Sequence, residues 1–375
     1  MDVLISAGEA SGENYGAMLI AALRQRLGGD MQFFGVGGAR MKEAGCEIVV
    51  DSASIAAVGI TEVAKHVAQI YREFFRVVGI ARQRRPSVAV LIDFPDFNLR
   101  LAQKLHEMQV PVVYFVSPQL WAWKQRRIWR VRKFVDRMLV IFPFEEDYYR
   151  QRGVQAQFVG HPLADLELPQ ISREDFARKY NLDTSRFWIA LLPGSRRKEV
   201  LLNLPAMLET ARQMGSSYQY MLPVASTLAS SWMAEQIAGS RVHLVDSARE
   251  ALFHARAGVV ASGTATVEAA LIETPFLVVY RVSRLTYAIG RRLVKVPHYG
   301  MVNLIAGRRI VPELIQEDFT PANVLAELDK LLPDGAPREE MITNLRRVRQ
   351  MLRPEQSQGT AISRAAEAII KCLPA

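Results

Sequence analysis

The chain has 375 residues, of which 50% are hydrophobic, and it carries 47 Lys and Arg against 38 Asp and Glu, a formal net charge of +9. This length and hydrophobic content allow two domains with buried cores and exclude a disordered chain. The chain has two cysteines, Cys46 and Cys372, which exclude a disulfide framework and indicate a reducing compartment. The sequence contains no apolar run of about 18 residues, so it predicts no membrane span. The excess of positive charge indicates an anionic partner.

Short apolar runs alternate with helical patterns along the chain. The predicted strands are VLIS (3–6), FFGVG (33–37), VAVLID (88–93), VVYFV (112–116), RMLVIF (137–142) and QFVG (157–160) in a first series, then WIALLP (188–193), YQYMLPV (218–224), VHLVD (242–246), AGVVAS (257–262) and FLVVY (276–280) in a second. Continuous apolar strands between helices predict parallel sheets, and two series predict two Rossmann-like α/β domains. Gly, Pro and acidic residues mark the boundary, which gives domains over 1–165 and 166–345 and a helical segment over 346–375.

Polar turns follow the strands of the first series. GEASGENYGA (8–17) is a glycine-rich turn that leads into a helix, an arrangement that presents free N–H groups. VAVLIDFPDFNLRLA (88–102) ends a strand at Asp93, with Asp96 three residues later. Two carboxylates at one strand end can reach the same hydroxyl group, so one of them can act as a general base. Asp also favours turns and helix caps, and this structural alternative stays open.

The segment 60–78 has a broad apolar surface. One helical stripe consists of Val63, Val67, Ile70, Phe74 and Val77, and the flanking cations are Lys65, Arg72 and Arg76. This spacing predicts a helix that faces the core. The broad apolar surface and its cations are also typical of a helix that lies in a membrane interface, so the sequence supports both interpretations.

Aromatic and basic residues alternate in WAWKQRRIWRVRK (121–133). Trp121 and Trp123 suit stacking on a sugar or contact with lipid, and the mixture also suits a nucleic-acid surface. No RNP, KH or zinc-finger pattern accompanies it. Two lone histidines near turns, His161 and His298, are predicted to be structural.

The second series carries two further turns. In LLPGSRRKEV (191–200), Gly194 permits a tight turn, Ser195 can cap a helix, and Arg196 offers a fork of donors that suits phosphate. In ASGTATVEAALIETP (261–275), Glu268 lies one turn after Thr264, where a carboxylate can accept from the hydroxyls of a ribose. An ordinary capped helix and a first-turn acid are the structural alternatives.

Nine motifs together resemble one enzyme family. In chain order they are GEASGE, IDFPDFN, VSPQLWAW, GHPLAD, LLPGSR, SGTATVEAAL, VVYR, VNLIAG and PELIQ. This set is similar to the lipid-A-disaccharide synthases over residues 2–320. The resemblance implies a GT-B fold, in which two Rossmann-like domains with parallel sheets face an interdomain cleft, followed by C-terminal helices. It also implies an inverting glycosyltransferase that joins UDP-2,3-diacylglucosamine to 2,3-diacylglucosamine 1-phosphate and releases UDP, with no metal or organic cofactor.

The resemblance assigns site residues. Those implied to bind the UDP-sugar are Gly194, Ser195, Arg196, Gly263, Thr264, Ala265, Glu268, Asn303, Gln316, Ser11 and Gly12. The diphosphate is assigned to residues 194–196 with the helix start at 263–264, and the ribose to Glu268. The candidate catalytic residues are Asp93 as the first choice of base, Asp96 as the second, and Glu9. Two positions depart from the family pattern, since Glu13 replaces a usual Asp and Val302 a usual Pro.

The acylated substrates imply a cytoplasmic enzyme that is peripheral to the anionic inner membrane. The implied membrane contacts are Val63, Val67, Ile70, Phe74 and the neighbouring cations. The resemblance implies no nucleic-acid partner. Two alternatives remain. A UDP-sugar 2-epimerase of GT-B architecture needs the same nucleotide residues but not the apolar segment 58–78, and a non-catalytic basic protein does not respond to UDP. The sequence leaves open the acyl-chain lengths, a homodimer, the domain arrangement and which of Asp93 and Asp96 is the base.

Overall fold

The computed structural model describes residues 1–28, 31–56, 63–293, 296–355 and 358–373. The chain divides into two compact units, Met1–Asp165 with Leu352–Ala375, and Leu166–Met351. Each unit has one parallel β-sheet with helices between its strands. The predicted α/β fold class with two Rossmann-like units is confirmed.

The first unit has a seven-stranded sheet in the order β3-β2-β1-β4-β5-β6-β7. Its strands are β1 (Asp2–Ala7), β2 (Gln32–Gly37), β3 (Cys46–Asp51), β4 (Val88–Ile92), β5 (Val112–Phe115), β6 (Arg137–Val140) and β7 (Ala156–Phe158). Its helices are α1 (Ala10–Leu27), α2 (Ala39–Glu43), α3 (Ala53–Ala56), α4 (Val63–Arg84), α5 (Pro95–Glu107), α6 (Ile128–Phe134) and α7 (Pro143–Arg150). The strand order reverses between β1 and β4, where Ala7 pairs with Ile92, and ligands of such sheets bind beyond the carboxyl ends of the strands at that point.

The second unit has a six-stranded sheet in the order β10-β9-β8-β11-β12-β13. Its strands are β8 (Phe187–Leu192), β9 (Tyr218–Pro223), β10 (Val242–Val245), β11 (Ala257–Ala261), β12 (Phe276–Tyr280) and β13 (Glu313–Ile315). Its helices are α8 (Arg173–Tyr180), α9 (Arg197–Met214), α10 (Ser230–Gln236), α11 (Ala248–His254), α12 (Thr264–Ile272), α13 (Arg284–Leu293), α14 (Met301–Ala306), α15 (Pro321–Leu331) and α16 (Ala336–Met351). Here the order reverses between β8 and β11, where Leu192 pairs with Val260, so the turns after these two strands lie side by side.

The C-terminal helices do not form a unit of their own. Helix α16 packs on α12 and α14 of the second unit, whereas α17 (Ala361–Ile370) packs on α1 of the first. Arg364 Nε donates to the carbonyl of Val159 over 2.8 Å, and the N–H of Ala361 donates to Asp165 over 2.6 Å. Residues after Met351 therefore complete the first unit.

Helix α4 turns part of its apolar stripe toward the core, which is the first of the two interpretations that its spacing allowed. Phe74 is buried, with its ring 5.4 Å from that of Phe97, and Ile70 packs against the same core. The prediction that the side chain of Phe74 contacts a membrane is therefore wrong, whereas Ile70 is half-buried. The side chains of Val63 and Val67, like that of Lys65, lie outside the described residues.

The exposed side chains of α4 lie next to that stripe. Tyr71 is 46% and Phe75 60% exposed, and each is followed in the chain by an exposed cation, Arg72 and Arg76. Successive residues of a helix are rotated by about 100°, so Phe74 and Phe75 point in different directions. Among the described residues, no helix has the length and apolar content to cross a membrane.

Candidate functional site

In the first unit, the turns after β1 and β4 are in direct contact. The ring of Phe94 lies so close to Gly8 that a Cβ atom there would overlap it, so Gly8 lets the two turns meet. Asp93 and Phe94 both have left-handed backbone, with φ of 46° and 51°. Non-glycine residues adopt this conformation at a cost, and such strain is concentrated at functional sites.

Two buried side chains hold this strained turn. Asn98 is fully buried; it accepts from Ser6 Oγ at 2.7 Å and donates to the carbonyls of Asp93, Ile92 and Ser6 at 2.8, 3.2 and 3.3 Å. Tyr114 Oη donates to the Asp93 carbonyl at 2.6 Å. Asn98 thus ties the end of β1 to the end of β4.

The two candidate bases have different surroundings. Asp93 is half-buried on the strained turn, whereas Asp96 is exposed on the first turn of α5. Asp96 forms ion pairs with Arg127 and, at 3.5 Å, with Lys124. Burial acts to raise the pKa of Asp96, but Arg127 and Lys124 hold it below its ordinary value. Asp96 is therefore a weak base.

The other residues assigned to the first unit lie at the start of α1. Glu9 is the N-cap of α1, and Ser11 and Gly12 lie in its first turn. A Cβ at Gly12 would be 3.5 Å from Ile92, which places this turn beside the end of β4. Glu13 accepts a hydrogen bond of 2.8 Å from the N–H of Arg40, so the longer side chain at this position caps the start of α2.

A buried carboxylate organises the segment after β5. Glu145, which is 1% exposed, accepts hydrogen bonds from Ser117 Oγ at 2.6 Å, Trp121 Nε1 at 3.0 Å and the N–H of Phe142 at 3.1 Å. Burial raises the pKa of Glu145 to about 7, although these donors act to lower it. Trp121 is thereby held half-buried, whereas Trp123 is exposed and lies beneath Lys124, whose Nζ is 4.2 Å from the ring centre.

In the second unit, the two polar turns follow the adjacent strands β8 and β11, as predicted. Gly194, Ser195 and Arg196 precede α9. The N–H groups of Ser195 and Arg196 face the carboxylate of Glu199, at 3.0 and 3.3 Å from Oε2. Glu199 is not among the predicted site residues, although an acid three residues after an N-cap is the pattern of a capping box.

Helix α12 begins differently. Gly263 is its N-cap, Thr264 and Ala265 are its first two residues, and among the described residues no side chain caps its first N–H groups. Apart from Gly263 itself and its two chain neighbours, no atom of the described structure lies within 4 Å of a Cβ built on Gly263. The start of α12 is therefore open to an anion.

Glu268 lies one turn into α12. No hydrogen bond reaches its half-buried carboxylate from the described residues, and burial raises its pKa, while the positive charge of Arg249 acts in the opposite direction. Arg249 Nη2 donates to the carbonyl of Glu167 at 2.9 Å, and its buried Nη1 has no hydrogen-bond partner in the described structure. A carboxylate in this state can accept hydrogen bonds from hydroxyl groups.

Asn303 and Gln316 occupy different environments. Asn303 is fully buried; its Nδ2 donates to Val311 and Glu313, and its Oδ1 accepts from the N–H groups of Ile310 and Val311. These bonds give Asn303 a structural role in its loop. Gln316 follows β13 with a left-handed backbone (φ 57°), and its buried Nε2 has no hydrogen-bond partner in the described structure.

The two α/β units, each with one parallel sheet between helices, form a GT-B fold, and solved structures with this fold are similar to the chain. The glycotransferase of kitacinnamycin matches with a TM-score of 0.64 and 14% identity, covering 100% of this chain and 99% of that one. The UDP-GlcNAc 2-epimerase from Neisseria meningitidis, bound to UDP-GlcNAc, has a TM-score of 0.64 and 11% identity, covering 99% of both. At these identities the likeness shows the fold alone.

The sequence comparison identifies the family. The sequence model of the family described as lipid-A-disaccharide synthetase matches residues 3–367. A lipid-A-disaccharide synthase of Acidobacterium capsulatum is 52% identical over 376 aligned positions, covering 96% of this chain and 94% of the relative. The chain belongs to this family, and it is a glycosyltransferase.

Proposed function

We propose that the chain transfers 2,3-diacylglucosamine from UDP to the 6-hydroxyl of 2,3-diacylglucosamine 1-phosphate. In this proposal the polar turns of the two units have different roles. The second unit binds the UDP portion of the donor, and the first supplies the base. The assignment of this reaction depends on membership of the lipid-A-disaccharide synthetase family. The geometry at the two strand-order reversals supports the assignment of roles.

The nucleotide lies against the turns after β8 and β11. The open start of α12 at Gly263, Thr264 and Ala265 accepts one phosphate, and Arg196 provides charge-assisted bonds to the diphosphate. Glu268 accepts from the ribose hydroxyls. Gln316 donates its otherwise unpartnered Nε2–H to the donor, which offsets the cost of burying that group.

The base is Asp93. The 6-hydroxyl oxygen forms a bond to the anomeric carbon, the bond from that carbon to the β-phosphate oxygen breaks, and Asp93 takes the hydroxyl proton. Arg196 and the start of α12 stabilise the negative charge that grows on UDP. The strained turn, which fixes the orientation of Asp93, supports Asp93 as the base. Arg127 and Lys124 hold the pKa of Asp96 below its ordinary value, which weakens the second candidate. Glu9 stays a candidate catalytic residue, and Ser11 and Gly12 stay candidate contacts of the UDP-sugar, at the start of α1.

Attachment to the inner face of the inner membrane is the second part of the proposal. The exposed aromatic rings of Tyr71 and Phe75 alternate with Arg72 and Arg76 on α4. Apolar rings at the headgroup boundary and cations near anionic lipid give peripheral, salt-sensitive binding.

Release of UDP from the diacylated donor, with and without the acceptor phosphate, tests the reaction. We expect release to depend on the acceptor.

Calorimetric titration with UDP tests the nucleotide site. Arg196→Ala and Glu268→Ala should each weaken UDP binding, by about 1.5–3 kcal/mol for the charged bond of Arg196. Wild-type affinity in both variants contradicts the assignment.

A further inference from the structure

The start of α9 already holds a negative group. Glu199 is the third residue of the helix, and its Oε2 accepts hydrogen bonds from the N–H groups of Ser195 and Arg196. Its Oε1 lies 3.3 Å from Arg196 Nη1. These donors belong to the turn 194–196, to which the family resemblance assigns the diphosphate, and the proposed function uses Arg196 of this turn for the same group. A carboxylate from their own helix therefore occupies the position of an anion.

The turn fits closely around this carboxylate. Gly194 has a φ of 125°, and a Cβ atom on it would lie 2.6 Å from both the Cβ and the Oε2 of Glu199. The side chain of Glu199 is 19% exposed, whereas that of Arg196 is 66% exposed. Glycine at this position leaves the space that the carboxylate fills.

The neighbouring turn lacks such a group. Among the described residues, no side chain caps α12, and the space beside Gly263 is open. Of the two helix starts at the strand-order reversal, one is filled by an internal anion and the other is available. The difference lies in one residue, because the third position of α12 is Thr266, whose hydroxyl donates to the carbonyl of Gly263 instead.

We propose that the carboxylate of Glu199 competes with the donor diphosphate for the N–H groups of Ser195 and Arg196, so that binding displaces it and it returns when UDP leaves. Phosphate and carboxylate oxygens seek the same donors, and two negative groups within one helical turn repel each other. Glu199 then lowers the affinity for UDP and favours its release. This inference rests on the proposed nucleotide site.

Titration calorimetry with UDP and with uridine tests it on the full chain. Glu199→Gln keeps the shape of the side chain but removes its charge. We expect UDP to bind about 2- to 30-fold more tightly, which corresponds to the free-energy range of one charge at a helix end. Uridine has no phosphate and should bind as in the wild type. Glu209→Gln, on the same helix but in its last turns, is the matched control and should change neither affinity.

The outcomes are distinct. Unchanged or weaker UDP binding in Glu199→Gln, together with weaker binding in Arg196→Ala, overturns the inference and leaves the nucleotide site in place. Unchanged binding in both Arg196→Ala and Glu268→Ala overturns the site itself. Glu199→Asp, which retracts the carboxylate while keeping an acid that favours a helix start, should bind UDP with an affinity between those of the wild type and Glu199→Gln; affinity equal to the wild type counts against competition.

Discussion

Asn98 Nδ2 donates a hydrogen bond of 2.8 Å to the backbone carbonyl of Asp93. Tyr114 Oη donates to the same oxygen at 2.6 Å. Left-handed backbone at a non-glycine residue costs about 1–3 kcal/mol, and Asp93 and Phe94 both adopt it. The orientation of the Asp93 side chain therefore depends on two buried groups behind it.

Replacement of Asp93 tests the base. Asp93→Asn preserves the shape of the side chain but cannot take the proton of the acceptor, so turnover should fall about 10²–10⁴-fold while the affinity for UDP stays unchanged. UDP release and calorimetry measure the two quantities. Asp96→Asn should lower turnover less, because Asp96 is ion-paired, and the reverse ranking of the two variants would make Asp96 the base.

Tyr114→Phe tests the support of the turn. It removes one of the two bonds to the Asp93 carbonyl, which should cost about 0.5–1.5 kcal/mol of unfolding free energy and lower kcat without a change in UDP affinity. Tyr220→Phe is a matched control, since Tyr220 is a buried tyrosine of the other unit that donates to the carbonyl of Gly215. Equal kcat in the two variants at equal loss of stability argues against a positioning role for Tyr114.

Glu145 gives the stability of the chain a dependence on pH. Because its pKa is raised to about 7 in the fold, the folded state holds a proton that the unfolded state releases above its ordinary pKa. This contribution is fully present below that ordinary value and is lost as pH rises through about 7. Denaturant unfolding between pH 4 and pH 8 should therefore show the free energy of unfolding of the wild type falling, relative to that of Glu145→Gln, as pH rises. A constant difference over this range contradicts the assignment.

Exposed and buried aromatic residues of α4 should respond differently to substitution. Joint replacement of Tyr71 and Phe75 by Ser should leave the fold intact and weaken sedimentation with anionic vesicles. Phe74→Ala should instead lose about 3–5 kcal/mol of stability, because it creates a cavity in the core. Phe187→Ser, at an exposed aromatic of the second unit, is the control. Unaltered vesicle binding in the double variant excludes this face as the membrane contact.

The sequence predicted the positions of the polar turns well because parallel strands place their carboxyl ends at one edge of a sheet. The turns after β8 and β11 are separated by more than sixty residues in the chain, yet they lie side by side. The motif pattern also located Asp93 at the end of β4. What it did not contain was the left-handed backbone of Asp93 and Phe94, which depends on contacts with Asn98 and Tyr114.

The exposed face of α4 could not be read from the sequence because apolar residues lie on more than one side of the helix. Phe74 and Phe75 are adjacent and identical in type, and only packing against Phe97 decides which one is buried. Asn303 shows the same difficulty for polar groups. From the sequence alone, a buried asparagine whose hydrogen bonds stay within its own loop cannot be distinguished from one that binds a ligand.

The placement of α17 on α1 has a consequence for biosynthesis. A ribosome releases the strands of the first unit well before residues 361–370, so the surface of α1 that α17 covers stays uncovered while the whole second unit is made. The domain begun first is thus completed last. A nascent chain halted near Met351 would carry a finished second domain and an unfinished first one, with apolar surface available to chaperones.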